Sequence, residues 1–251
     1  MEVGLITPST LPDSLESGIF LVDKPQGWTS FDVVAKMRSL LKIKKIGHAG
    51  TLDPMATGLL IVCVGRAATS RIDSFMGLPK TYSGTMRLGE ITPSYDADSE
   101  VSFRLPADHL TLEDVEAVLP TFRGAITQIP PVFSAIKVGG ERLYKKARRG
   151  EADVAVPPRL VEVTRFELLR KEGDDVAFEV VCSKGTYIRS LAHDVGQTLG
   201  VGAHLTALRR EKIGDFDVRT AWTVEGLTAA AQARRAKQTQ ISLPPETPVN
   251  E

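Results

Sequence analysis

Apolar residues recur along this chain in short blocks whose spacing alternates between the helical period and the strand period. Residues 18–22 (GIFLV) are an apolar run of strand length, and Asp23-Lys24-Pro25-Gln26-Gly27 then turns the chain. Val34, Met37 and Leu41 lie on one helical face, with Ser30 as the predicted cap and Asp32 in the first turn. Residues 59–64 predict a second buried strand, and residues 66–76 a second helix. Tyr82, Gly84, Met86 and Leu88 alternate as a strand does. Thr111 with Asp114 opens a helix through Leu119. Residues 161–169 and 176–183 predict an antiparallel pair turned at Glu172-Gly173-Asp174. From Ile188, the positions Leu191, Ala192, Val195 and Leu199 give a helical face that Gly200 ends. The pattern predicts an α+β protein with a mixed, mainly antiparallel sheet and helices packed on it.

Composition narrows the class without deciding it. The 251 residues are 42% hydrophobic and 25% charged, as in ordinary globular domains. Cys63 and Cys182, the only cysteines, sit in apolar runs and read as buried thiols of a reducing compartment. The longest apolar run, residues 59–64, is too short to cross a membrane, and the N-terminus lacks the pattern of a secretory signal, so a cytoplasmic protein is expected.

Net charge is zero, yet the charges are segregated. Residues 90–116 hold eight acids against one base, Arg104, whereas residues 137–149 hold six bases against Glu141 alone. Such a chain can turn one basic face to a polyanion. The run Arg142, Lys145, Lys146, Arg149 at helical spacing, with Tyr144 among it, predicts a basic arm for RNA within an insertion at 128–160. Lys42, Lys44 and Lys45 either complement a helix dipole or hold phosphates. Residues 94–98 (SYDAD) lack the spacing of a calcium loop and read as solvated loop. The four histidines show no metal-ligand spacing, and His193 reads as structural. There is no Walker-type, G-x-G-x-x-G or G-x-S-x-G motif. Neither a metal nor a small-molecule cofactor is expected.

Residues 47–60 read GHAGTLDPMATGLL, with Asp53 as their single carboxylate. Gly47, Gly50 and Gly58 permit tight turns, and Pro54 pushes Asp53 toward an extended conformation. A bare Asp-Pro marks a turn, but the full string G-H-x-G-x-L-D-P-x-A-x-G-x-L is far less common. It resembles the catalytic motif of the TruB family of tRNA pseudouridine synthases. Further stretches match that family. DKPxGxTS falls at Asp23, Lys24, Pro25, Gly27, Thr29 and Ser30. K-x-Y falls at Lys80 and Tyr82, and S-A-x-K-x-x-G-x-R-x-Y-x-x-A-R-x-G runs from Ser134 to Gly150. K-G-T-Y-I-R covers residues 184–189, and Gly202-Ala203-His204 with Leu208-Arg209-Arg210 follows.

The resemblance implies the pseudouridine synthase fold and isomerisation of uridine 55 in the TΨC loop of tRNA, without redox cofactor or metal. It implies that Asp53 is the essential carboxylate and that Arg189 pairs with it. Tyr187 belongs to the same site, Tyr82 stacks on the flipped base, His48 contacts RNA and Leu208 walls an apolar pocket. Lys24, Lys145, Arg148 and Arg149 complete the expected substrate-binding set. The expected organisation is a flexible leader at 1–17, a catalytic domain at 18–222, and a short extension at 223–251 without the full PUA-type module that many bacterial relatives carry. The expected partner is the T-stem-loop of tRNA, met by a monomer. Two rival readings are a non-catalytic RNA-folding protein, which would leave Asp53 and Arg189 unexplained, and a small-molecule hydrolase, for which no triad motif is present.

Overall fold

A computed structural model describes residues 3–9, 11–134, 137, 138, 140–142, 149 and 156–241. The chain divides into two compact units, Met1–Met76 with Asp215–Glu251, and Gly77–Gly214.

In the first unit, strand Gly18–Lys24 runs antiparallel to Thr57–Val64, with Gly18 opposite Val64 and Lys24 opposite Gly58. Ile46–Ala49 pairs antiparallel with Thr57–Val64 as well. Leu5–Ile6 and Trp222–Thr223 add to Gly18–Lys24 in parallel. Every residue of Thr57–Val64 after Thr57 is buried, as its unbroken apolar run requires of a strand covered on both faces. Helix Ser30–Leu41 turns Val33, Val34, Met37 and Leu41 into a core with Phe20, Val22, Leu60, Val62, Val64 and Trp222. Helix Val224–Ile241 adds Val224, Leu227 and Ala231 to that core. Truncating one of these larger side chains to alanine would cost about 2–5 kcal/mol.

Three expectations need correcting here. The cap of the first helix is Thr29, one residue early: its hydroxyl accepts from Asp32 N while the Asp32 carboxylate accepts from Thr29 N, a complete capping box. Residues 66–76 form two short helices, Gly65–Thr69 and Ile72–Gly77. At the break the Thr69 and Ser70 hydroxyls donate to Arg66 O and Ala67 O, competing with the helical ladder for its carbonyls. Of the segment 1–17, expected as a flexible leader, the described residues 3–9 and 11–17 pack against the fold. Leu5 and Ile6 pair with Ile19 and Phe20, Leu11 and Leu15 are buried, and Asp13 receives Lys237.

The second unit is a five-stranded antiparallel sheet in the order Ala203–Ile213, Lys80–Leu88, Asp175–Cys182, Arg159–Glu172, Gly124–Gln128. The expected hairpin is present, with Gly173 at φ 58° supplying the left-handed turn residue. Helix Ile188–Thr198 buries Ile188, Leu191, Ala192 and Val195. Helix Leu112–Val118 begins at the expected capping box of Thr111 and Asp114. The architecture is α+β and mainly antiparallel. Both cysteines are free and buried, and burial pushes each thiol up to about 11. Among the described residues no helix is long and apolar enough to cross a membrane.

Candidate active site

In the first unit, the catalytic-motif loop joins the strands Ile46–Ala49 and Thr57–Val64. Asp53 is half-buried, and the backbone on each side of it is clamped. On the N-terminal side the buried Ser30 hydroxyl accepts from Leu52 N at 2.9 Å and donates to Leu52 O at 3.3 Å. On the C-terminal side Gly27 N donates to Pro54 O at 2.8 Å. Ala56 N closes a turn onto Asp53 O at 3.1 Å. These bonds fix the backbone that carries the carboxylate before any ligand arrives.

Lys24, expected in the substrate-binding set, lies in the interior of this unit. Its side chain is fully buried, and the ammonium donates to Trp28 O at 2.7 Å, Pro25 O at 3.0 Å and Pro54 O at 3.3 Å. Its role is to tie the DKPxGxTS turn to the Asp-Pro turn. His48 sits half-buried on the strand Ile46–Ala49.

In the second unit, Tyr187 and Arg189 lie at the start of helix Ile188–Thr198, Tyr187 as its N-cap. Arg189 is nearly fully buried and makes an ion pair with Asp96 at 3.2 Å. Its two terminal nitrogens also donate to Ser94 O and Phe133 O, each at 3.0 Å. These acceptors come from two separate segments, so the planar guanidinium is fixed in direction as well as in place.

Residues 94–98 are therefore not the solvated loop expected. Ser94 and Asp96 are buried. Tyr95 takes a left-handed φ of 63° and stacks on His193 at 3.8 Å between ring centroids. Tyr95 O accepts from Leu205 N, which lays the segment along the strand Ala203–Ile213. Within it, the Asp96 carboxylate accepts from the Ser94 hydroxyl and from Asp98 N.

Tyr187 is held by a residue the sequence did not single out. The buried Gln128 side chain donates from Nε2 to Tyr187 O at 2.9 Å and accepts Tyr187 N at 2.7 Å. One amide thus reproduces a strand partner for the residue just before the helix. Ser190 adds a bond from its hydroxyl to Ile129 O.

Tyr82 and Leu208 are brought together by register. Arg210 lies opposite Tyr82 and Leu208 opposite Gly84, so Tyr82 and Leu208 are diagonal neighbours on one face of the sheet. Both are buried. Lys80, two residues before Tyr82, is buried too, and desolvation, aided by the Arg210 charge, pushes its ammonium down to about 8. Of the basic arm, Arg149 is exposed and pairs with Glu141 through both terminal nitrogens, at 2.7 and 2.8 Å. Arg149, expected in the substrate-binding set, is thus engaged by a carboxylate of the same arm. Tyr144, Lys145, Lys146 and Arg148 lie outside the described residues. No group of metal-ligating side chains occurs among the described residues.

Comparison with known proteins places the chain in a family. Residues 38–188 match the profile of the TruB family pseudouridylate synthase N-terminal domain. Residues 189–249 match that of the tRNA pseudouridylate synthase B C-terminal domain. The chain is 51% identical over 209 residues to tRNA pseudouridine synthase B of Parabacteroides distasonis, covering 81% of this chain and 88% of the relative. It is 46% identical over 214 residues to the protein of that name from Mycobacterium tuberculosis, covering 84% of this chain and 71% of the relative. Among solved structures it resembles that of an H/ACA RNP bound to a substrate RNA containing 2'-deoxyuridine, with a TM-score of 0.66 and 30% identity over 88% of this chain. A Cbf5-Nop10-Gar1 complex gives a TM-score of 0.65 at 30% identity over 89% of this chain. The chain spans 55% and 65% of those two solved chains. With one family profile matching well over half its length, the chain belongs to the TruB family of pseudouridine synthases.

Proposed function

We propose that this protein isomerises uridine to pseudouridine in tRNA, at uridine 55 of the TΨC loop, acting as a monomer on the T-stem-loop in the cytoplasm. The observation that carries the reading is the double clamp on the backbone around Asp53, the one carboxylate of a motif matched to a family of known chemistry.

The reaction breaks a glycosidic N–C bond, turns the base and forms a C–C bond. The target must first leave its stack, at a cost of a few kcal/mol that a loop nucleotide keeps low. Tyr82 supplies the flat surface on which the extruded base stacks, with Leu208 as the apolar wall beside it. His48 occupies the space the base vacates. Asp53, ionised, acts at the ribose or at the base, and Arg189 is the cation that favours its charged form, as the family resemblance implies. Tyr187 is the acid–base group that handles the proton leaving C5. Lys145, Arg148 and Arg149 grip the phosphate backbone, Arg149 exchanging its bond to Glu141 for one to RNA. No step calls for a metal or a redox cofactor.

The test is direct: incubate the protein with an unmodified tRNA transcript and map pseudouridine by position. Conversion at uridine 55 supports the reading. Binding without conversion would favour an RNA-folding protein, and neither binding nor conversion would overturn the assignment.

A further inference from the structure

A cleft of about 400 Å³ opens beside the strand Ile46–Ala49. Arg38 reaches it from helix Ser30–Leu41, Lys44 and Lys45 from the segment that follows, and Arg66 from helix Gly65–Thr69. The residues lining it include no carboxylate. Lys44, Lys45 and Arg66 are exposed, and among the described residues none of the four cations has an ion-pair partner. Arg38 is anchored by a bond from Nη2 to Ile46 O at 2.8 Å, while its buried Nε has no hydrogen-bond partner. Gly47 faces Ile72 at the edge of the cleft, where a Cβ would stand 2.8 Å from Ile72 Cδ1.

Helix electrostatics account for only half of this cluster: Arg38 lies in the last turn of the first helix and Arg66 in the last turn of helix Gly65–Thr69, but Lys44 and Lys45 lie in neither. The first helix is capped at Lys42, and a macrodipole acts only within its last turn. Lys44 and Lys45 lie past that turn. Four converging cations without a counter-ion repel one another, and an anion between them relieves that repulsion. Gly47, which lines the cleft, immediately precedes His48, and alternation along a strand sends those two positions to opposite faces. A nucleic-acid strand presents its charges in series. One that offers a nucleotide to His48 therefore carries its neighbouring phosphates to the flank of the same strand.

We propose that this cleft is a phosphate seat for the RNA backbone next to the target nucleotide, distinct from the basic arm at 128–160. The proposal rests on the reading of the chain as a tRNA-modifying enzyme. It assigns to Arg38, Lys44, Lys45 and Arg66 a positioning role for substrate and no part in bond-making.

The experiment combines Lys44→Gln, Lys45→Gln and Arg66→Gln in the full chain. KM for a T-arm hairpin should rise roughly tenfold at 0.1 M salt, with kcat changed by less than about twofold. The log–log salt slope of binding should fall by about two to three units, since three phosphate contacts are lost. A scan of single methylphosphonate linkages through the hairpin identifies the ligand itself. One or two adjacent neutral linkages should weaken binding to the wild type and have no further effect on the variant. The single substitution Arg66→Glu should weaken binding more than Arg66→Gln. An unchanged KM and salt slope, or the same interference pattern in both proteins, would overturn the seat while leaving the activity assignment intact. If the wild type forms no pseudouridine, the function falls, and the methylphosphonate scan, which reads binding alone, still decides the cleft.

Discussion

Arg189 and Asp96 form an ion pair at 3.2 Å in which the side chains retain 5% and 3% of their exposure. Withdrawn this far from water, a pair broken at one of its two partners is costly, typically 3–5 kcal/mol. Asp96→Asn should therefore lower stability by about 3 kcal/mol and reduce kcat far more than it raises KM, because Arg189 loses its orientation. Thermal melts with single-turnover assays check this. A variant that melts lower yet turns over normally would reduce Asp96 to a purely structural part.

Gln128 meets both backbone polar groups of Tyr187. Gln128→Ala should cost about 2 kcal/mol, two hydrogen bonds at about 1 kcal/mol each, and slow turnover by at least tenfold. Gln128→Glu keeps the acceptor for Tyr187 N but has no donor for Tyr187 O, so an intermediate rate is expected. Equal rates for the glutamate and glutamine forms would show that the donor half of the clamp is idle.

For Lys24 the expectation separates two roles. As an internal tie among three carbonyls, Lys24→Met should destabilise the fold by about 2–3 kcal/mol and leave the salt dependence of RNA binding unchanged. A salt slope lowered by about one unit would mean that the ammonium meets a phosphate after all.

Asp53→Asn keeps the shape of the side chain and removes its charge. Pseudouridine formation should vanish while affinity for tRNA stays within a few-fold of wild type. Turnover near the wild-type rate would end the assignment of Asp53 as the essential carboxylate.

Asp194 gives a pH signature unrelated to catalysis. Burial raises its carboxyl from 3.8 to about 6. The folded state therefore holds a proton that the unfolded state releases at lower pH. The contribution to stability is full below about pH 4 and is lost as pH rises through about 6. Because the group is only half-buried, solvent screening trims the effect, and Asp194→Asn should stabilise by on the order of 1 kcal/mol at pH 7.5. At pH 4 the same substitution should change the melting temperature little. A shift of equal size at both pH values would assign the effect to packing.

Much of the scaffold was legible because it is local. The apolar run at 18–22, the alternation from Tyr82 to Leu88, the hairpin at Gly173 and the face of helix Ile188–Thr198 follow from residue spacing alone. The motif around Asp53 was legible because its residues are contiguous. What escaped was non-local. Asp96 sits in a stretch whose average charge reads as solvated, and its burial is met by Arg189 from a distant segment together with the Ser94 hydroxyl and Asp98 N. The segment 3–17 looks unstructured until strand Gly18–Lys24 offers it an edge. Gln128 gave no signal, because a side-chain amide standing in for a strand has no periodicity. Lys24, expected in the substrate-binding set, donates to three carbonyls of neighbouring turns, a tie that only the folded chain displays.

The two cysteines have a practical consequence. Cys63 and Cys182 retain 0% and 1% of their exposure, and their thiols are held near 11, so at neutral pH neither offers a thiolate to a reagent. The natural protein is thus silent toward maleimide dyes without any cysteine being replaced. A single cysteine placed on the exposed part of the arm, at Gly140 for example, becomes the one reactive site. A fluorophore there, opposite an acceptor on the RNA hairpin, would report the arm's approach to its substrate in real time and in an otherwise unaltered enzyme.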